Sequence, residues 1–180
     1  PLALVELPHA LSDAQLRGID ELGDPIPVNG GIERTFGARV ARLPERTRKA
    51  LLLAVAAGQE ATAPLASVLE TNGLGLADLE PAVLDGLVVV DEGTVAFRHP
   101  LVSSVVYQGE SEESRRAAHA LLAEAEPDPD RSAWHRAAAT PPPDETVASA
   151  LDAAAGRALA RGAPASAVRA FGEAARFSEI

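Results

Sequence analysis

Residues 87–107 read Leu-Val-Val-Val-Asp-Glu-Gly-Thr-Val-Ala-Phe-Arg-His-Pro-Leu-Val-Ser-Ser-Val-Val-Tyr, the one stretch of the 180-residue sequence with a convincing β pattern. Two short runs rich in β-branched and aromatic residues, 87–90 and 94–98, flank Asp91-Glu92-Gly93, where the glycine supplies the positive φ of a tight turn. A two-stranded hairpin is marginal by itself in water, so the remainder of the chain must supply helices for it to lie against. Immediately after the second run comes His99-Pro100. Proline drives the preceding residue into extended geometry and suits the first turn of a helix, so His99 is expected at a strand-to-helix corner. There its imidazole serves either as a positioned donor for an anion or as a local hydrogen-bond partner of the backbone.

The flanking sequence is helical by pattern. Ile32, Phe36, Val40 and Leu43 follow the i, i+4, i+8, i+11 stripe of an amphipathic helix that Pro44 interrupts. A second helix is expected over 45–57 with Leu51, Leu52 and Val55 facing the core, a third over 63–70, and another over 76–85 carrying Leu79, Val83 and Leu84. Helices followed by a hairpin give the order of a winged helix. Past the hairpin, Leu101, Val102, Val105 and Val106 mark a short buried helix that Gly109 ends. Helices are then expected over 111–126, 130–139 (with Trp134 as a core anchor), 144–161 (with Asp144 as N-cap) and 165–177. Short loops between them imply antiparallel hairpins. Ala155, Gly162, Ala167, Phe171 and Ala174 fall at the spacings of a tetratricopeptide repeat, in which Phe171 fills the groove between paired helices. The expected class is therefore mainly α: a winged-helix-like three-helix bundle with a two-stranded hairpin, then antiparallel hairpins of tetratricopeptide type.

At the start, the apolar cluster Leu2, Leu4, Val5, Leu7 ends at Pro8, Ser12 opens a capping box, and residues 23–31 form a linker with two prolines and three glycines. The expected divisions are 1–22, 23–31, 32–109 and 110–180. With no initiator methionine and an opening in mid-pattern, the sequence is read as a piece of a longer chain.

Charge and composition exclude several functions. A formal charge of −10 argues against nucleic acid as a direct partner, since phosphate binding draws on clustered Lys and Arg. The expected recognition helix carries Asp78, Glu80 and Asp85 and no basic residue. The one basic stretch, Arg34, Arg39, Arg42, Arg46, Arg48 and Lys49, is read as a solvated helix face or as a surface that docks an acidic neighbouring domain. Cysteine is absent, which leaves no thiolate chemistry, and no apolar run is long enough to cross a bilayer. Neither a phosphate-loop lysine motif nor a hydrolase or dinucleotide signature occurs. His119 and His135 fall on different expected helices without paired ligands and are read as surface or packing histidines; His9 carries no signal. No catalytic or metal site is expected.

Four segments in order carry a resemblance. Pro1-Leu2-Ala3-Leu4 is similar to an Asn-Pro-Leu-Ala-Leu segment, Ala41-Arg42-Leu43-Pro44 with Arg46 and Arg48 to the start of a winged-helix part, Phe97-Arg98-His99-Pro100-Leu101 to a Phe-Arg-His-Pro-Leu segment, and Trp134-His135 with Ala137-Ala138 to the start of a helical-repeat sensor. Together these resemble the large ATP-binding transcriptional regulators of the LuxR class, signal-transduction ATPases with numerous domains. The resemblance implies a cytoplasmic ATP/ADP-controlled switch in which Pro1 packs on the adenine and His99 reaches the nucleotide phosphates. Residues 1–22 would then be the tail of the nucleotide-binding region. The implied partners are the nucleotide-binding and DNA-binding domains of the same chain and a small-molecule or protein inducer at the repeats, without direct nucleic-acid or membrane contact by this segment. Set beside this reading is a stand-alone helical-repeat interaction module in which nucleotide plays no part.

Overall fold

A computed structural model describes residues 30–58, 62–91 and 93–178. They are mainly helical with one antiparallel hairpin and fall into two units that divide between Ser111 and Glu112. Residues 1–22 and most of the expected linker lie outside the described residues.

The first unit contains α1 (Gly30–Ala41), α2 (Glu45–Ala57), α3 (Thr62–Thr71), a 3₁₀ turn (Leu76–Leu79), α4 (Glu80–Leu84), β1 (Val88–Asp91), β2 (Thr94–Phe97) and α5 (Pro100–Gly109). α1 begins inside the expected linker, because helix ends follow backbone hydrogen bonding and not composition. α2 is the hub: it packs against α3, α5 and the 3₁₀ turn, burying Ala50, Leu51, Leu53 and Ala54, whereas Val55 is only half-buried.

The single helix expected over 76–85 is in fact two pieces. Pro81 has no N–H to give to the carbonyl of Ala77 and its ring crowds that oxygen; the chain instead closes an i→i−3 bond from Glu80 N–H to Ala77 and restarts as α4 with proline in its first turn. The rotation turns Leu79 and Ala82 inward and leaves Leu84, an expected core position, 81% exposed. α4 then ends in a Schellman motif: Leu87 N–H donates to the carbonyl of Ala82 and Gly86 N–H to that of Val83, with Gly86 at φ 66°. That left-handed residue delivers Leu87 directly into the hairpin. Val88 pairs with Phe97 and Asp91 with Thr94, and Gly93 sits at φ 83°. Val88 and Val95 are buried, and α5 buries Leu101, Val102, Val105 and Val106.

The second unit contains α6 (Glu112–Ala125), α7 (Pro129–Ala139), α8 (Glu145–Ala160) and α9 (Pro164–Phe177), each packed on the next. Aspartates start two of them. Asp128 Oδ1 accepts from the N–H groups of Asp130 and Arg131, and Asp144 Oδ1 from those of Thr146 and Val147, at 2.9–3.0 Å. Gly162 closes α8 in a second Schellman motif, with Ala163 N–H on the carbonyl of Ala158. Alanines 155, 158, 167 and 170 meet between α8 and α9, where small side chains permit close helix approach. Trp134 packs against this cluster and against that of Leu151, Val147 and Phe177. Here the sequence expectation needs correcting. Phe171 does not fill the groove: it is 44% exposed, and Phe177, at 2%, does so. The buried stripe of α9 is Ala167, Ala170, Ala174, Phe177, and Phe171 stands about 80° of rotation from its centre.

Candidate functional site

His99 occupies the corner between β2 and α5. Its backbone is extended (φ −143°, ψ 133°), as a residue before proline must be, and it is the N-cap of α5. Nδ1 accepts a hydrogen bond from the N–H of Leu101 at 3.2 Å. A nitrogen that accepts carries no proton, so the capping ring is the neutral tautomer with its hydrogen on Nε2. The ring of Phe36 on α1 stacks against it, with centroids 6.0 Å apart and planes 22° apart, and Arg39, one turn further along α1, lies 5.7 Å over the other ring of that stack. Arg39 in turn binds Asp85 through Nε at 3.0 Å and through a second bond to its carbonyl. Backbone geometry, cap and stack together fix where the Nε2–H is held. What the corner can do chemically is donate one hydrogen bond from a preset position. Pro1, named beside His99 for nucleotide contact, lies outside the described residues.

The basic stretch finds much of its acidic partner within its own unit. Arg46 bridges to Asp78 through Nε (2.7 Å) and a terminal nitrogen (3.0 Å) and also reaches the carbonyl of Gly73, while Lys49 pairs with Glu45 along α2. The hydrogen bond from Arg46, then that from the backbone of Gly75, holds the Asp78 carboxyl below the usual carboxylate range. The acidic residues of 76–85 thus tie α1 and α2 to the segment before the hairpin.

In the second unit the fold joins two residues that sequence reasoning had set apart. His119 on α6 and His135 on α7 face each other with Nδ1 atoms 3.0 Å apart, each residue 9% exposed. With both rings neutral, one Nδ1 donates and the other accepts. Burial lowers the pKa of His119 to about 4, with the neighbouring His135 adding to the effect; burial also lowers that of His135, although Glu126 opposes the shift. Nearby, Ser132 Oγ donates to the carbonyl of Ala123 at 2.9 Å across the same helix pair. A signal that His119 is buried did exist, though not which residue it meets: it lies on the stripe Ala118, His119, Leu122, Ala123, and an imidazole on an apolar face calls for a hydrogen-bond partner. Among the described residues no three His, Cys, Asp or Glu side chains converge as a metal ion would need.

Comparison of the chain with protein-family models, with curated proteins and with solved structures found no match.

Proposed function

We propose that this chain is the regulatory middle segment of an ATP/ADP-switched transcriptional regulator of the LuxR class, its first unit a winged helix and its second the start of a tetratricopeptide-type sensor. In this reading the segment performs no catalysis of its own; it works in the cytoplasm, coupling the nucleotide state of a neighbouring domain to an inducer at the repeats. The observation that carries it is the His99 corner within Phe-Arg-His-Pro-Leu: a neutral imidazole locked by its own helix cap, with an Nε2–H donor suited to a phosphate oxygen. A donor attached to a rigid corner is gained or lost as a unit when the domain that bears it rotates, which is how a winged helix would report nucleotide state.

The test is His99→Asn in the full-length protein, because asparagine caps helices at least as well as histidine and so keeps α5 while removing the imidazole donor. ADP affinity should fall about tenfold or more, the value of a hydrogen bond to a charged group, with basal transcription rising. Unchanged ADP affinity and basal activity would sink the reading. The stand-alone interaction module would then lead, and it has its own observation in its favour: Leu159, Val168 and Phe171 are large apolar side chains exposed on α8 and α9.

A further inference from the structure

Leu84, turned outward by the break at Pro81, is the most exposed large apolar side chain among the described residues. It borders an open groove of about 570 Å³ whose other apolar walls are Leu43 and Pro44, at the turn between α1 and α2, and Pro81 on α4. The remaining walls are the charged side chains of Arg39, Arg42 and Asp85. Arg39 and Asp85 neutralise each other through an Nε to Oδ2 contact of 3.0 Å. Arg42 differs: its Nε donates to the carbonyl of Ala38 at 3.0 Å, which directs the side chain, and among the described residues no acceptor engages its terminal nitrogens. The groove thus holds an exposed apolar floor beside an uncompensated positive charge, in a chain whose formal charge is −10.

We propose that this groove docks an acidic peptide segment of a partner protein, with a large apolar side chain of the segment on Leu84 and a carboxylate on Arg42. Charge complementarity selects the sign of the partner. The terminal nitrogens of a guanidinium match the two oxygens of a carboxylate, and Asp85 adds little repulsion because Arg39 already holds it. The apolar side chain supplies the drive, since covering Leu84 removes from water a surface that the fold leaves there. Pro44 and Pro81 offer no N–H to an incoming strand, so recognition rests on side chains and not on strand addition. A groove of this volume takes a few side chains and falls short of a standard protein interface, which makes the contact weak and transient.

The experiment titrates the isotope-labelled protein with the peptide acetyl-Glu-Leu-Phe-Asp-amide and follows backbone amide shifts by NMR. Acetyl-Gln-Leu-Phe-Asn-amide is the uncharged isostere, and acetyl-Glu-Ser-Ser-Asp-amide is the version without apolar side chains. Saturable shifts are expected, centred on Arg42, Leu43, Leu84 and Asp85, with a Kd on the order of 0.5 mM. Arg42→Gln should weaken binding about fivefold, the upper end for an exposed ion pair, and the uncharged peptide at least as much. Leu84→Ser and the peptide without apolar side chains should each weaken it about tenfold. Arg42 and Leu84 are exposed and stand outside the His99 contacts, so these variants keep the fold, which circular dichroism checks, and the outcome is independent of the ADP test. Absence of saturation by about 5 mM, equal binding by folded Arg42→Gln or Leu84→Ser, or equal binding of the uncharged peptide would each overturn the proposal.

Discussion

At neutral pH the His119–His135 contact is a hydrogen bond between two uncharged rings; in acid it becomes two opposed N–H groups 3.0 Å apart. The direction of the resulting pH dependence follows from linkage. An exposed imidazole in the unfolded chain takes a proton near pH 6.5, while buried His119 resists protonation down to about 4, so the unfolded state binds more protons between these values. The contribution is complete above pH 6.5 and is lost as pH falls toward 4. Allowing for solvent screening, the loss is on the order of 2 kcal/mol. Glu126, which faces His135 and is paired with Arg131 at 2.9 Å, moderates the loss for that ring. Following the ring resonances of His119 by NMR from pH 8 to 3.5 checks this directly: the midpoint should lie well below 6, and a midpoint near 6.5 would show that the pair does not form. At this scale sequence reasoning placed His99 at its corner because proline constrains its own neighbour. It could not place His119 against His135, because sixteen residues and a helix turn-around separate them.

Among the elements, helix starts and stops were written locally. Asp144 was readable as an N-cap, since a short carboxylate ahead of a helical pattern can reach the first free N–H groups. Asp144→Ala should cost about 1 kcal/mol in urea denaturation and Asp144→Asn very little. Which face of a helix points inward was less readable. The α9 pattern offers two aromatic candidates six residues apart, and the tetratricopeptide spacing selected Phe171 where packing selected Phe177. Phe177→Ala is therefore expected to destabilise the second unit by about 3–5 kcal/mol, against less than about 0.5 kcal/mol for Phe171→Ala. The reverse order in thermal or urea melts would contradict the stripe described for α9. Pro81 gives a parallel lesson: the helix over 76–85 was foreseen, but the break within it, and hence the outward turn of Leu84, came from one missing N–H.

For the molecule as a whole, the charge of −10 repels phosphate, and Arg39 and Arg46 of the basic stretch are held by Asp85 and Asp78. Duplex DNA should not be retarded by micromolar protein in a mobility-shift assay at about 150 mM salt, and lowering the salt should bring on at most weak, sequence-independent binding. A salt-resistant, sequence-specific shift would reverse this conclusion. Among the described residues no helix is long and apolar enough to cross a membrane.

By itself the sequence determined most of the helices, the hairpin with its Gly93 turn, the N-cap at Asp144, the corner at His99, and the glycine and proline breaks between elements. Each of these is decided within a few residues by steric limits on φ and ψ and by the nearest backbone donors and acceptors. Only the tertiary structure decided that Arg39 meets Asp85 across 46 residues, that two histidines share one hydrogen bond, and that Phe177 and not Phe171 is buried. The rotation of a helix about its own axis is set by every neighbour packed against it at once, and periodicity in one segment does not contain that sum.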